Sequence, residues 1–363
     1  MKLIHCADFH LDSALNANLE GEKKKLRKAE LMDSFVRIAE YAIENEVDAI
    51  LIAGDLFDGP AVSKRTQNIV KETILCCPAV DFLYLRGNHD KDCFLENWED
   101  KPENFKTFGE DWTYYKYGDT VIAGAVLTEE NSGRLCETIS LDQDNCNIVM
   151  LHGQTDKYRS AENAETIQLA GYRNKNIDYL ALGHYHSYSS EILDLRGTYC
   201  YCGCPEGRGY DECGEKGFVR METVGRKLSY SFVPFAERTI HEVVVDVSDA
   251  PTTVSVEKKI AAAVEKIPVD DMVSVVLKGK VSMDAERDLV YLNRRFENSF
   301  FGFRVDDSEV GLAIRPEDYK NDVSLRGEFI RMVMESNHTD EEKRMILELG
   351  VCALAGEEAE SCF

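Results

Sequence analysis

Five short segments of the sequence combine aspartate, asparagine and histidine at spacings suited to metal ligation. Each segment follows a short apolar run that we predict to be a strand, so the polar side chains would stand where a strand ends. In the first and fifth segments two such residues are two positions apart, which places both side chains on one face of an extended chain. The candidate ligands are Asp8, His10, Asp55, Asn88, His152, His184 and His186.

This ligand set predicts a two-metal centre. Mixed carboxylate, amide and imidazole ligands suit manganese, iron or zinc better than magnesium or calcium, and the thiolates of a structural zinc site are missing. Seven ligands are too many for one ion, but they suit two divalent ions that share Asp55. Such a pair can activate a water molecule and stabilise the charge that builds up on a phosphoryl group during in-line attack.

His89 is the candidate proton donor. It stands between Asn88, a proposed ligand, and Asp90, which would orient its imidazole at the rim of the metal pair. There it could protonate the leaving oxygen or hydrogen-bond the transition state. Asp58 would play a similar outer part or cap a turn. The other histidines are interpreted as structural residues: His5, His241 and His338.

The predicted secondary structure would bring these segments together. In the first half of the chain, apolar runs alternate with amphipathic stretches, a pattern typical of α/β layering. A second group of strands suggests a second sheet packed on the first, which makes a two-sheet sandwich flanked by helices. The predicted strands are 2–7, 49–53, 80–85, 121–127, 147–151, 179–182, 217–222 and 228–233, and the predicted helices are 22–46 and 63–76.

From about residue 241 the pattern changes to a smaller α/β unit that holds no strong ligand cluster. We expect strands at 241–247 and 272–278, a helix at 256–266, a helical or mixed segment at 284–299, and helices at 325–336 and 339–353. The sequence therefore predicts three parts. They are a catalytic domain at 1–240, a second domain at 241–322 and a C-terminal helical segment at 323–363.

Composition limits how the chain could bind nucleic acid. The 363 residues include 66 acidic and 42 basic ones, which gives a net charge of −24. A protein that held DNA by neutralising phosphates alone would be basic, so metal ions, a local basic patch or a partner would have to contribute. The candidate patch, which could equally be a solvated helix face, is Lys23, Lys24, Lys25, Arg27 and Lys28.

The chain reads as a soluble, cytoplasmic protein with no membrane segment. No apolar run approaches the roughly 20 residues that span a bilayer, and the N-terminus lacks the pattern of a signal peptide. Its twelve cysteines should then be reduced thiols. Two interpretations remain open for the cluster Cys200, Cys202, Cys204 and Cys213: a zinc site, or small buried residues on a strand.

The motifs D-x-H, G-D-x-x-D, G-N-H-D, an isolated H and G-H-x-H, in this order, resemble those of the calcineurin-like metallophosphoesterases. Within that family, segments 4–12 and 54–58 are most similar to the DNA double-strand-break repair nucleases of the SbcD and YhaO type, and segment 201–218 resembles the part that follows their last metal motif. The resemblance covers the first 240 residues well and the remainder loosely. It implies a two-sheet metallophosphoesterase sandwich with a smaller α/β capping domain that recognises DNA.

Carried over residue by residue, the resemblance implies the role of each site residue. One metal would be held by Asp8, His10, Asp55 and His186. The other would be held by Asp55, Asn88, His152 and His184. His89 would be the transition-state histidine with Asp90 behind it, and manganese would be the preferred metal.

The resemblance also implies a substrate and partners. DNA would be cut by exonuclease and some endonuclease activity, the protein would form a homodimer, and the C-terminal helices would bind an SbcC-like coiled-coil ATPase. Three alternatives remain. The helices could pack on their own domain, and the acidic surface favours a phosphoesterase for small or cyclic nucleotides. The third is a scaffold subunit without catalysis, which the intact ligand set disfavours.

Overall fold

The structure, a computed structural model, describes residues 1–15, 19–91, 93–95, 98–157, 165–282, 285–313 and 319–355. It divides into two compact units, Met1–Ile240 and His241–Phe363. The strands are β1 (Lys2–Cys6), β2 (Ala49–Ala53), β3 (Asp81–Leu85), β4 (Phe105–Thr107), β5 (Thr113–Tyr117), β6 (Thr120–Gly124), β7 (Cys146–His152), β8 (Gln154–Thr155), β9 (Thr166–Ile167), β10 (Tyr179–Gly183), β11 (Ser189–Ile192), β12 (Thr198–Tyr201), β13 (Gly217–Val224), β14 (Lys227–Pro234), β15 (Ile240–Asp246), β16 (Met272–Val281) and β17 (Gly302–Leu312). The helices are α1 (Gly21–Glu44), α2 (Lys64–Cys76), α3 (Leu135–Thr138), α4 (Leu169–Tyr172), α5 (Thr253–Val264), α6 (Leu289–Phe296), α7 (Leu325–Glu335) and α8 (Asp340–Ala355).

Two six-stranded sheets form the first unit. One has the order β14-β13-β1-β2-β3-β4 and the other β11-β12-β10-β7-β6-β5, with β1 to β4 parallel in the first and β6, β7, β10 and β12 parallel in the second. A shared apolar core with residues from both sheets fills the space between them. The outer face of the first sheet packs on α1 and α2, and that of the second packs on α4. The predicted two-sheet α/β sandwich flanked by helices is therefore confirmed.

Alternation along β1 shows how the sandwich forms. Leu3 and Ala7 face the second sheet, whereas Ile4 and Cys6 face the helices, as the period of two along a strand requires. His5 lies on the inner face, where its Nδ1 is 3.0 Å from the hydroxyl of Tyr179 on β10. Burial lowers the pKa of His5 to about 3, so this imidazole is neutral and belongs to the core.

The second unit has its own core. The three-stranded sheet β15-β16-β17 packs on α5 and α6, with Val256, Ile260 and Leu292 buried against it. Strand β17 was not predicted, because its apolar residues alternate with charged ones and none of its windows forms a continuous apolar run. The function of this unit as a DNA-capping domain stays a prediction.

Helices α7 and α8 pack on each other at the end of the described chain. Ile330, Val333 and Leu347 are buried together, and Leu312 at the end of β17 packs against them. Packing on their own unit, which the sequence left as an alternative, therefore accounts for part of the apolar surface of these helices. Among the described residues, no helix has the length and apolar character needed to cross a membrane.

Candidate metal centre

The seven predicted ligands converge at one edge of the sandwich. Strands β1, β2 and β3 of one sheet and β7 and β10 of the other end at this edge, and each predicted segment follows one of these strands or ends it. Parallel strands place their carboxyl ends together, which is why residues far apart in sequence meet here. The ligand atoms form two groups, each within 4.8 Å of one another: Asp8, His10 and His186 in one, and Asp55, His152 and His184 in the other.

In the first group, two imidazoles face each other. His10 Nε2 is 3.2 Å from His186 Nε2. The Nδ1 atoms of the same rings lie beside carboxylates, at 3.2 Å from Asp58 Oδ1 for His10 and at 2.8 Å from Glu212 Oε1 for His186. With both rings neutral and a proton on each Nδ1, each Nε2 would direct a lone pair at the other. A cation between them would relieve this repulsion.

In the second group, a backbone carbonyl orients the imidazole. His152 Nδ1 donates to the carbonyl of Ala53 at 2.8 Å, which leaves Nε2 as the acceptor nitrogen. That Nε2 lies 3.1 Å from Asp55 Oδ2 and 2.9 Å from Asn88 Oδ1. The Oδ2 atom of Asp55 is fully buried. Three converging acceptors of this kind fit a divalent ion.

The local electrostatics also favour positive charge at this position. Burial alone would lower the pKa of His152, but Asp55 outweighs it and raises that pKa to about 9, so a metal ion at this position would replace the proton on Nε2. Burial likewise acts to raise the pKa of Asp55, yet His152 and His10 hold it well below its usual value. The carboxylate that the two groups would share is therefore ionised, as a bridging ligand must be.

The backbone at the ligands is strained. Asp8, His10, Asp55 and His184 have φ angles of 55°, 46°, 52° and 101°, a region that residues with a side chain rarely adopt. Such strain persists only where the surrounding fold imposes it, and it concentrates at functional sites. The centre is thus held in a preformed arrangement by the strand ends and the turns that follow them.

Gly54, in the second motif, leaves room for the side chain of His152, a candidate metal ligand. Gly54 has φ +93°, and a Cβ atom there would lie 2.2 Å from Nδ1 of His152. Gly87, in the third motif, is constrained in the same way, since a Cβ atom would lie 2.1 Å from Asp55 Oδ1. The G-D and G-N-H spacings therefore follow from close packing around the ligands as well as from turn geometry.

Asp90 contacts backbone groups of two motifs. Its buried carboxylate accepts hydrogen bonds from the backbone N–H groups of Leu56, Phe57 and Gly87, at 3.2, 2.8 and 3.0 Å, and so joins the second and third motifs. The carboxylate beside His89 is that of Asp58, whose Oδ1 is 3.5 Å from Nδ1 of His89. The sequence could not distinguish the two aspartates, because the choice depends on how the turns fold. Asp90 thus joins the two turns, and Asp58 lies beside the imidazole of His89.

The sequence analysis did not single out two residues of this site, Arg208 and Glu212. Arg208 donates to Glu212 Oε1 from Nε at 3.0 Å and from Nη2 at 2.8 Å, and its Nη1 lies 3.8 Å from Asp58 Oδ1. We call Arg208, Glu212 and Asp58 the Arg208 cluster. Within this cluster, Arg208 holds the two carboxylates, which in turn orient His10 and His186. The available signal was a pair of opposite charges in the segment that follows the last metal motif.

The predicted basic patch contains one residue that cannot contact DNA. Arg27 is fully buried and forms ion pairs with Glu30 at 2.9 Å and with Glu206 at 2.8 Å. Its guanidinium therefore holds α1 to the 206–208 segment. Lys24, Lys25 and Lys28 are exposed on α1, and Lys25 pairs with Glu22. Lys23 is half-buried.

Packing accounts for the cysteine cluster. Cys200 and Cys202 lie in the core between the sheets, and burial raises the pKa of Cys200 to about 12, which keeps it a neutral thiol. Cys204 is also buried, and the Cys213 thiol donates to the carbonyl of Tyr210 at 3.3 Å. Within the described part of the chain, no group of three potential metal ligands includes a cysteine. This favours the packing interpretation over a zinc site.

Comparison with known families agrees with this fold and site. Residues 1–188 match the family model described as calcineurin-like phosphoesterase. The chain therefore belongs to the calcineurin-like metallophosphoesterases, and it has the fold of phosphoester hydrolases that use divalent metal ions.

Two relatives extend the comparison. The chain is 26% identical over 269 residues to the uncharacterized metallophosphoesterase YhaO of Bacillus subtilis, a match that covers 69% of this chain and 64% of that protein, just under two thirds of its length. It is 22% identical over 375 residues to the DNA double-strand break repair protein Mre11 of Sulfolobus acidocaldarius, covering 96% of this chain and 94% of that one. Among solved structures, TT1561 of Thermus thermophilus matches with a TM-score of 0.40 and 16% identity, over 64% of this chain and 98% of that one.

Proposed function

We propose that this protein is a manganese-dependent two-metal nuclease that hydrolyses DNA phosphodiester bonds in DNA repair. The observation that carries the proposal is the arrangement of ligand atoms in two groups that share Asp55. In one group two imidazole nitrogens face each other, and in the other an imidazole nitrogen, a carboxylate oxygen and an amide oxygen converge, at distances that a divalent cation would fill. Exonuclease activity with some endonuclease activity is the expected form of the reaction.

We propose four of these residues as ligands of each ion. One ion would be held by Asp8, His10, Asp55 and His186. The other would be held by Asp55, Asn88, His152 and His184. When bound, such a pair supplies an activated water and neutralises charge on the phosphoryl oxygens.

The protein's own contribution to the reaction centres on His89. Its backbone N–H donates to Asp55 Oδ1 at 2.9 Å, which holds the residue at the rim of the site. Asp58 Oδ1 lies 3.5 Å from Nδ1, where it can orient the ring. His89 would then carry a proton to the leaving oxygen, and its partial exposure leaves it within reach of a substrate.

DNA as the substrate is supported by the relative named as a DNA double-strand break repair protein, which aligns with nearly the whole chain. The three exposed lysines of α1 offer a surface for phosphate contacts. For the second unit we propose a partner surface on α7 and α8, where Leu325, Met332 and Met345 remain exposed. Its occupant would be an SbcC-like coiled-coil ATPase, which an apolar helix-pair surface would fit.

Cleavage assays with a matched pair of variants test the proposal. The purified protein is incubated with manganese and labelled duplex DNA, single-stranded DNA or methyl p-nitrophenyl phosphate. We expect DNA cleavage that Asp55→Asn reduces by more than about 100-fold, since even outer-shell changes cost 10–100-fold. Asp119→Asn, at an exposed position, should behave as wild type. Full activity of Asp55→Asn would contradict the proposal.

A second candidate function is hydrolysis of small or cyclic nucleotides. Two observations favour it: the net charge of −24, and the burial of Arg27, which removes one cation from the basic patch predicted on α1. Cleavage of the small diester and of nucleotides, with both forms of DNA left intact, would establish this candidate. Absence of any cleavage despite bound manganese would favour a scaffold subunit.

A further inference from the structure

The segment that follows the last metal motif holds the main chain of His186 as well as its ring. The carbonyl of His186 accepts a hydrogen bond from Nζ of Lys216 at 2.7 Å. It also accepts from the backbone N–H of Cys204 at 3.4 Å and from the Cys204 thiol at 3.5 Å. Because Glu212 contacts Nδ1 of the same histidine, residues 204–216 hold both its main chain and its imidazole.

Lys216 is an unexpected side chain for the interior of the protein. The residue is only 3% exposed, and the structure gives its Nζ no ion pair with a carboxylate of the described residues. Lysine is almost never buried to this extent unless it is paired, because taking an ammonium group out of water costs free energy. An apolar side chain of similar length would fill the same space at a lower cost. The burial of Lys216 therefore points to a role for the ammonium group itself.

The main chain of Lys216 is fixed by the first sheet. Its carbonyl accepts hydrogen bonds from the backbone N–H groups of Phe235 and Ala236, at 2.8 and 3.1 Å, directly after β14. The residue that follows Lys216 begins β13, which pairs with both β14 and β1. His186, by contrast, follows β10 of the second sheet. The Lys216 side chain therefore extends from one sheet to the main chain of a candidate ligand that belongs to the other.

The effect of this hydrogen bond falls on one half of the metal centre. We propose that Lys216 is a positioning residue, whose ammonium holds the main chain of His186 so that its Nε2 stays opposite Nε2 of His10, 3.2 Å away. A ligand has to be held within about 0.5 Å of its productive position. The proposal rests on the metal centre of the proposed function. It concerns only this half, since the carbonyl of Ala53 orients His152 in the other.

Manganese binding to metal-stripped protein tests the proposal without catalysis. Lys216→Met keeps an unbranched side chain of nearly the same length but removes the donor and the charge. We expect one ion to bind about 10–100-fold more weakly, the usual cost of losing an outer-shell partner, and the other to bind as in wild type. The Tm of the metal-free variant should be no lower than that of wild type, because an apolar group replaces a buried charge. Equal weakening of both ions, or of neither, would overturn the proposal.

Two further variants separate positioning from a general effect of losing a lysine. Lys2 also donates to a main-chain carbonyl, that of Asn45 at 2.8 Å, but it lies at the opposite end of β1 from the ligand segment. Lys2→Met should therefore bind both ions as wild type does. Lys216→Arg keeps a cationic donor and should lose less affinity than Lys216→Met. An arginine variant with the Tm of wild type that binds manganese as weakly as Lys216→Met would contradict the proposed role.

A double variant shows whether Lys216 acts through His186. In His186→Ala, the ion of this half has already lost its ligand, so the further change Lys216→Met should not lower its affinity again. A second loss of the same size would mean that Lys216 acts elsewhere, and the proposal would fail. Wild type that binds two manganese ions but cuts no DNA would refute the nuclease function, while these isotherms would still decide the role of Lys216. Wild type that binds no manganese would refute both.

Discussion

The two halves of the metal centre are built in different ways. In the half with His10 and His186, the side-chain carboxylates of Asp58 and Glu212 orient the imidazoles, and Arg208 holds those carboxylates. In the half with His152, the orienting group is the backbone carbonyl of Ala53, which belongs to β2. A carbonyl inside a sheet cannot titrate or move without the strand, whereas a carboxylate responds to its own partners. The first half should therefore be adjustable by mutation of surrounding residues, and the second should be fixed by the fold.

The largest effect should come from the residue that joins the halves. Asp55 Oδ2 lies 3.8 Å from Nε2 of His10 and 3.1 Å from Nε2 of His152, so the two groups share it. We expect Asp55→Asn to weaken the binding of both manganese ions, because an amide supplies no negative charge to either. Equilibrium dialysis of metal-stripped protein measures the number of ions bound. One ion retained at wild-type affinity would show that the halves do not share this carboxylate.

The next largest effect should fall on the half with His152, whose imidazole is oriented by a backbone carbonyl (the backbone-oriented half). Gly54→Ala requires an alanine to adopt φ +93°. It also places Cβ 2.2 Å from Nδ1 of His152, the atom that donates a hydrogen bond to the carbonyl of Ala53. We expect the ion of this half to be lost while the other is retained. The backbone strain should also cost about 1–3 kcal/mol of stability, seen as a lower Tm.

A glycine elsewhere separates strain from this contact. Gly118 also has a positive φ, +59°, but an added Cβ would meet nothing within 4 Å. The Gly118→Ala variant should have a lower Tm than wild type but should still bind two ions. If Gly118→Ala lost an ion as well, the effect of Gly54→Ala would reflect general destabilisation, and the comparison of the halves would fail.

Glu212→Gln tests the half with His10 and His186, whose imidazoles are oriented by carboxylates (the carboxylate-oriented half). The substitution keeps the shape of the side chain but removes the charge that sets the tautomer and basicity of His186. We expect one ion to bind about 10–100-fold more weakly, the usual cost of losing an outer-shell partner, and the other to be unaffected. Manganese isotherms measure both affinities, with the exposed Glu215→Gln as the matched control. Equal weakening of both ions would mean that the halves are not independent.

How far the sequence predicted this centre follows from what each residue depends on. The convergence of the seven candidate ligands was predictable because their types and spacing at strand ends are local features, and the sheets then bring them together. The role of Asp90 was not, since its partners Leu56 and Phe57 are 33 or more positions away and the turns between decide the contact. Arg27 likewise appeared as part of a surface patch until its partner Glu206, far along the chain, was placed beside it.

The fold shows the same division between local and long-range signals. Strand β2 was predicted with the bounds it has, because Ala49–Ala53 is a continuous apolar run that is buried on both faces. Strands β4 and β12 were missed, since they are three and four residues long and contain polar residues. Their places are set by pairing with β3 and β10, which no local pattern encodes. The assignment of the ligands to manganese stays a prediction.

The smallest effect should come from Arg208, which donates to Glu212 and whose Nη2 also lies 3.3 Å from Nδ1 of His186. Arg208→Lys keeps the positive charge but loses the fork that donates twice to Glu212 Oε1. Because the backbone N–H of residue 208 still donates to Glu212 Oε2 at 2.7 Å, the carboxylate stays in place, and we expect less than about a tenfold loss of affinity at one ion only. The isotherm of Arg208→Lys should therefore lie between those of wild type and Glu212→Gln, whereas Arg226→Lys, at an exposed arginine, should overlay wild type. A loss larger than that of Glu212→Gln would mean that Arg208 acts on the site directly, through Asp58 or a substrate phosphate, and that the carboxylate-oriented half is held by a charge network instead of by two independent pairs.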